Sequence, residues 1–169
     1  VKRAAPVLYA LLALAVAYWL VQGWNSDRRR IGRQLDELRE LVEKTGPEND
    51  LAAANKARQV GDLLARDFEL HLEPYGPVVT DRQRLMQVTL GYRRRAERIG
   101  LDFHDREFTV DPRLRVADLT TTATLTGRTA GSAYRELYRL RLGWVEEEGE
   151  WRIRRVELLE VLDGSASFL

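Results

Sequence analysis

Apolar positions recur along this chain with two different periods. Near the C-terminus, Tyr138, Leu140, Leu142 and Trp144 alternate with Arg139, Arg141 and Gly143, and Trp151 and Ile153 alternate with Arg152 and Arg154. A period of two is that of a strand with one buried face. Glu146–Gly149 separates the two segments, so Tyr134–Val145 and Glu150–Leu162 are expected to form a hairpin. The phase slips between Arg154 and Val156, which predicts a bulge at Arg154–Arg155. Upstream, Leu114–Thr126 reads as a long strand with Ala117, Leu119, Thr121, Ala123 and Leu125 on one face. Leu101–Val110 alternates with a slip at Asp105–Arg106. Asp111–Arg113 and Gly127–Gly131 read as turns, and Phe68–Leu72 as a short strand.

The first half of the chain follows the helical period. Ile31, Leu35, Leu38, Leu41 and Val42 form a narrow stripe that ends at Gly46-Pro47. This amphipathic segment predicts a stalk helix packed on its own domain; a short dimerising coiled coil is the competing reading. A second helix is expected after a cap at Asn49 or Asp50, with Ala53, Ala57, Val60 and Leu64 facing inward. A third is expected after Thr80 or Asp81. Leu85, Val88, Tyr92 and Ile99 would line its buried face and Gly100 would stop it. Arg93, Arg94, Arg95 and Arg98 would occupy its opposite side.

Ala4–Trp24 has neither period and no charge; Lys2-Arg3 precedes it and Arg28-Arg29-Arg30 follows. About 20 apolar residues suffice to cross a hydrocarbon core of roughly 30 Å. Tyr18, Trp19 and Trp24 sit where interfacial aromatics belong. The segment is expected to be a transmembrane anchor rather than a signal cleaved near Ala13-Leu14-Ala15. The flanking charges are nearly even. A short basic tail is hard to translocate, so the expected orientation puts the N-terminus inside and the domain outside the cytoplasmic membrane. Arg28, Arg29 and Arg30 form a membrane-proximal basic cluster, read either as a solvated run or as headgroup contacts.

Across all 169 residues, 27 Lys and Arg balance 26 Asp and Glu, for a net charge of +1. That balance argues against a nucleic-acid binder. There is no cysteine, which excludes disulfides and thiolate metal sites. The expected organisation is an anchor at 1–25, a stalk helix at 26–46, an α+β domain at 47–163 and a tail at 164–169. In that domain helices cover one face of a curved, mostly antiparallel sheet.

From about Asp50 to Asp163 the chain resembles the nuclear transport factor 2-like superfamily, the cone-shaped fold of SnoaL-like cyclases and ketosteroid isomerases. The resemblance is carried by Asp67–Leu72 after a capped helix, by Thr80-Asp81-Arg82 opening the next, and by Glu148–Val156 with its Gly-Glu-Trp-Arg-Ile run. The anchor and Arg-rich helix in front of it resemble those of bacterial single-pass proteins in type IV secretion machinery and beside lipid-importing complexes.

The resemblance implies a search for an isomerase site, which needs a carboxylate base in a pocket with a Tyr and a protonated Asp. Tyr92 with Asp102 or Asp118 would have to supply it, but none of these Asp residues aligns with the family's base. His71 and His104 lack metal-ligand spacing and are expected on the surface. No catalytic residue, cofactor site or metal site is therefore assigned. Tyr92, Phe103, Tyr138, Trp144 and Trp151 are expected between helices and sheet, either as core or as the lining of a cavity for a small hydrophobic ligand. Arg135, Arg139, Arg141, Arg152, Arg154 and Arg155 would face Glu136, Glu148, Glu150 and Glu157 in a cross-strand charge lattice. That open sheet face is the expected docking surface for a homodimer or an envelope-complex partner. The function expected is binding or assembly at the membrane; the alternative is a tethered ligand-binding or SnoaL-like enzyme domain.

Overall fold

The computed structural model describes residues 26–74 and 76–164. The expected anchor at 1–25 lies outside these residues. Among the described residues no helix is long and apolar enough to cross a membrane.

Among the described residues, three helices precede or interrupt a five-stranded sheet. They are α1 (26–42), α2 (Asp50–Asp62) and α3 (Arg82–Arg95). The strands are β1 (Leu64–His71), β2 (Ala96–Asp111), β3 (Val116–Thr129), β4 (Ser132–Glu147) and β5 (Glu150–Asp163). The sheet order is β1-β5-β4-β3-β2, with β1 parallel to β5 and every other pair antiparallel. This is the expected α+β plan of helices on a curved, mostly antiparallel sheet.

Caps fix the helix starts. The Asn49 carboxamide oxygen accepts from the Ala52 amide at 2.8 Å, and the Asp81 carboxylate accepts from the Gln83 and Arg84 amides. The hairpins turn on Ala130-Gly131 and Glu148-Gly149, all four residues at positive φ, as a two-residue turn between twisted strands requires. Both expected bulges are present. Trp144 faces Ile153 and Gly143 faces Arg155, leaving Arg154 as the extra residue. Register also slips between His104 and Glu107, where Asp105 has φ 50°.

One stripe of α1 reaches the core. Ile31 and Leu35 are fully buried, in one cluster with Phe68, Phe103, Leu119, Leu142, Trp144, Trp151 and Ile153. α1 runs antiparallel along β2. Arg28 lies over Phe108, Asp36 pairs with Arg106, Arg39 with Asp102, and Lys44 forms an antiparallel bridge with Ile99. That bridge and the Leu70–Val79 bridge shield parts of the two sheet edges.

Several local expectations are corrected. Leu64 belongs to β1 and not to the face of α2, because it pairs with Ile153 in the sheet. α3 stops at Arg95 and not at Gly100; Ile99 is buried, but from β2, and Val88 is 58% exposed. Gly127 lies inside β3, where an added Cβ would collide with the Tyr134 hydroxyl and sit 2.8 Å from the Arg98 carbonyl. Its role is close approach, and the turn forms later. Leu114 is in the β2–β3 turn, before β3 begins.

Candidate functional site

The five aromatics expected between helices and sheet, as core or as a cavity lining, pack in two clusters. Phe103, Trp144 and Trp151 belong to the first cluster with Ile31 and Leu35 of α1. Tyr138 belongs to a second with Ala96, Ile99, Leu125 and Leu158, and half-buried Tyr92 packs on it. The Trp151 indole N–H donates to Asp27 at 3.4 Å, and the Gln34 side-chain amide donates to the Trp151 carbonyl. α1 therefore covers this part of the sheet with both apolar and polar contacts.

One carboxylate does point inward. Glu136 is 2% exposed, although it was expected in the outer charge lattice. Its position two residues before Tyr138 puts it on the buried face of β4. The Tyr138 hydroxyl donates to its carboxylate, and the Tyr134 hydroxyl meets that of Tyr92. Burial, then the hydrogen bond to Glu136 and its charge, raise the Tyr138 phenol well above its usual range. Burial and the Glu136 charge also raise Tyr134. Extending the alternation of β4 by four positions would have found both Tyr134 and Glu136.

The second buried ionic group is Arg93, which the sequence pattern placed on the solvent side of its helix. It is 1% exposed. Its Nε and Nη2 each donate to Glu48 at 3.0 Å, and Nη1 donates to the carbonyls of Leu41 and Val42 at 2.8 and 2.7 Å. Nη2 also reaches the Glu43 carbonyl at 3.1 Å. Reciprocally, the Lys44 ammonium donates to the carbonyls of Arg93 and Ala96. Each cation thus caps the other helix's C-terminus, where orphan carbonyls need donors. Burial pushes the Glu48 carboxyl up, but Arg93 and Lys56 outweigh it and hold Glu48 below the ordinary carboxylate range. A half-open cleft of about 460 Å³ lies here, lined by Lys44, Glu48, Asp50, Ala53, Arg93 and Arg94. Its cations already have partners, Arg94 pairing with Asp50 at 3.1 Å, so the arrangement is a clasp between helices.

On the outer face, Arg141 pairs with Glu157 at 3.3 Å as expected. Arg154 and Arg155 instead reach Asp67 and Glu69 of β1, and Glu148 pairs with Arg66. His71 hydrogen-bonds Glu69 at 2.9 Å and lowers that carboxyl's pKa. His104 is exposed. Among the described residues no group of three His, Cys, Asp or Glu could hold a metal ion. Asp102 is exposed beside Arg39 and Asp118 is exposed in β3, so neither joins Tyr92 in an isomerase-like arrangement. Of the basic cluster, Arg28 lies 5.4 Å from the Phe108 ring centroid, and Arg29 and Arg30 are exposed. A second half-open cleft of about 420 Å³ runs beside it, lined by Arg30, Arg33, Gln34, Glu37, Gly149, Glu150 and Trp151.

No family model matches the chain, and no curated protein matches it in sequence. Solved structures do match in fold. A protein assigned as a scytalone dehydratase from Novosphingobium aromaticivorans superposes with a TM-score of 0.64 at 14% identity, covering 82% of this chain and 85% of that one. A protein assigned as a calcium/calmodulin-dependent protein kinase II association domain from Xanthomonas campestris gives 0.61 at 16%, covering 77% and 84%. An NTF2-like protein with a cystatin-like fold, also from N. aromaticivorans, gives 0.54 at 19%, covering 84% and 90%. The described residues therefore adopt the nuclear transport factor 2-like fold. At these identities the likeness extends to the fold alone.

Proposed function

We propose that this chain is a membrane-tethered, non-catalytic binding and assembly module. Residues 4–24 anchor it in the cytoplasmic membrane, and its nuclear transport factor 2-like domain lies on the extracytoplasmic side. The domain pairs with a second copy, or with a subunit of an envelope complex, through the open sheet face. The observation that carries this reading is the packed interior: Phe103, Tyr138, Trp144 and Trp151, which would line a cone's cavity, are all buried in core clusters. What remains for recognition is the outer surface, where Arg139 and Arg141 lie beside Thr122 and Thr120. The likeness to an association domain supports self-assembly through this fold. The test is the mass of the full chain in detergent by light scattering. The expected result is two copies, falling to one when Arg139 and Arg141 are both changed to Glu, with the melting temperature unchanged. One copy throughout would overturn self-assembly.

Glu136 favours a second reading, a site for a small hydrophobic ligand or a SnoaL-like reaction. A buried carboxylate with converging phenols is the kind of polar group that orients a ligand in an apolar interior. Native mass spectrometry of the purified protein tests it. A co-purifying small molecule lost in Glu136→Gln would support this reading, and ligand-free protein would remove it.

A further inference from the structure

We propose that the β2–β3 turn, residues 112–115, is a second membrane contact that seats the domain on the lipid surface beside its anchor. The inference rests on the tether reading above and adds a specific surface to it. Leu114 is 71% exposed at the tip of this turn, between Arg113 and Arg115. An apolar side chain flanked by two guanidiniums suits a bilayer interface, where the one enters the acyl boundary and the others meet anionic headgroups.

The tip is held in place. The Asp111 carboxylate accepts from the Arg113 and Leu114 amides at 2.9 and 3.1 Å. Arg115 adopts φ 52°, its carbonyl accepts from the Glu146 amide at 3.0 Å, and its side chain pairs with Glu146. The order of this turn is thus independent of any partner for Leu114.

The tip also lies at the required height. Trp24, the last residue of the uncharged segment, is two positions before the start of α1, and two residues span at most about 7 Å. The lipid interface of the proposed anchor therefore lies no more than roughly 10 Å beyond Arg28, counting about 1.5 Å per helical residue. Arg28 sits over Phe108. Because α1 is antiparallel to β2, β2 continues from Phe108 towards the side from which the anchor enters. Three further residues at about 3.3 Å each bring Asp111, and then the turn, to that height. The acidic β4–β5 turn is at the same end, where Glu148 pairs with Arg66 and Glu150 is exposed. Its charge disfavours anionic lipid, so the domain tilts onto the corner that carries Arg28 and Leu114.

The chain has no cysteine, so a single environment-sensitive dye reports one site. Full-length protein is reconstituted into phosphatidylcholine vesicles with and without phosphatidylglycerol, labelled at Leu114→Cys or, as the control, Ser132→Cys at the opposite end of β3 and β4. The expected result is a blue-shifted emission at position 114, quenched by brominated lipid and stronger with phosphatidylglycerol, while position 132 stays solvent-like. Retention of the chain on vesicles through alkaline carbonate extraction is scored in parallel. A retained chain with a solvent-like probe at 114 overturns this contact and leaves the tether standing. A chain released by carbonate overturns both. A probe at 114 that is blue-shifted in vesicles yet not quenched by brominated lipid assigns the tip to a protein contact and overturns the proposal.

Discussion

Arg93 brings a charge into a place where an isolated guanidinium would cost several kcal/mol. What makes it tolerable is complete pairing: the bidentate Glu48 contact and three carbonyls at the end of α1. Arg93→Ala is expected to cost about 3–5 kcal/mol in urea unfolding, because half-buried Glu48 would lose its main partner and the carbonyls at the end of α1 their donor. Arg94→Ala, one residue on and paired at the surface with Asp50, should cost at most about 1 kcal/mol. The same pair sets an acid limit. Glu48 titrates lower in the folded chain than unfolded, so its contribution is full above the unfolded value of about 4.3 and is lost as pH falls through the folded value. Glu48→Gln should flatten the acid side of a stability-against-pH curve and leave its slope near neutrality unchanged. Nothing in the local pattern marked Arg93, since three adjacent arginines look alike in sequence. Only the tertiary placement of α1's carbonyls selects one of them.

At the scale of elements, period was a good guide wherever one face meets a core. The phase of β3 put Ala117, Leu119, Thr121, Ala123 and Leu125 on one side, and all five are buried. The slips in phase located the bulges at Asp105 and Arg154. Period failed where helix passes directly into strand. Ala96 and Ile99 continue the spacing of α3 acceptably, but sheet pairing with Thr129 and Gly127 takes over there. It failed likewise at Leu64, claimed by β5. Gly127 looked like a turn residue, because composition does not distinguish a glycine needed for φ from one needed for space. Gly127→Ala is expected to destabilise by about 1–3 kcal/mol or more, since its Cβ would meet both the Tyr134 hydroxyl and the immobile Arg98 carbonyl. Thermal unfolding followed by circular dichroism reads this directly. The candidate site was less legible than the fold. Phe103, Tyr138, Trp144 and Trp151 are buried, but Glu136 was assigned to the wrong face because its charge outweighed its phase.

For the whole molecule, the decisive element is α1. Ile31, Leu35 and Leu41 are buried in the same core as the sheet, and each such burial stabilises by about 1.5–3 kcal/mol. Together they approach the net stability of a typical domain, about 5–15 kcal/mol. A chain beginning at residue 47 should therefore lack a cooperative melt, whereas one beginning at residue 26 should keep it. The order of pairing in the sheet has a further consequence, for biosynthesis. β1 is made early, yet its sheet partner is β5, and Leu64 waits for Ile153. Trp151, against which the start of α1 rests, arrives equally late. A ribosome must therefore deliver nearly the entire chain before the core can close. Until then the β2–β3 and β3–β4 hairpins can pair, but the sheet lacks the strand that joins β1 to the rest and the helices have no complete face to cover.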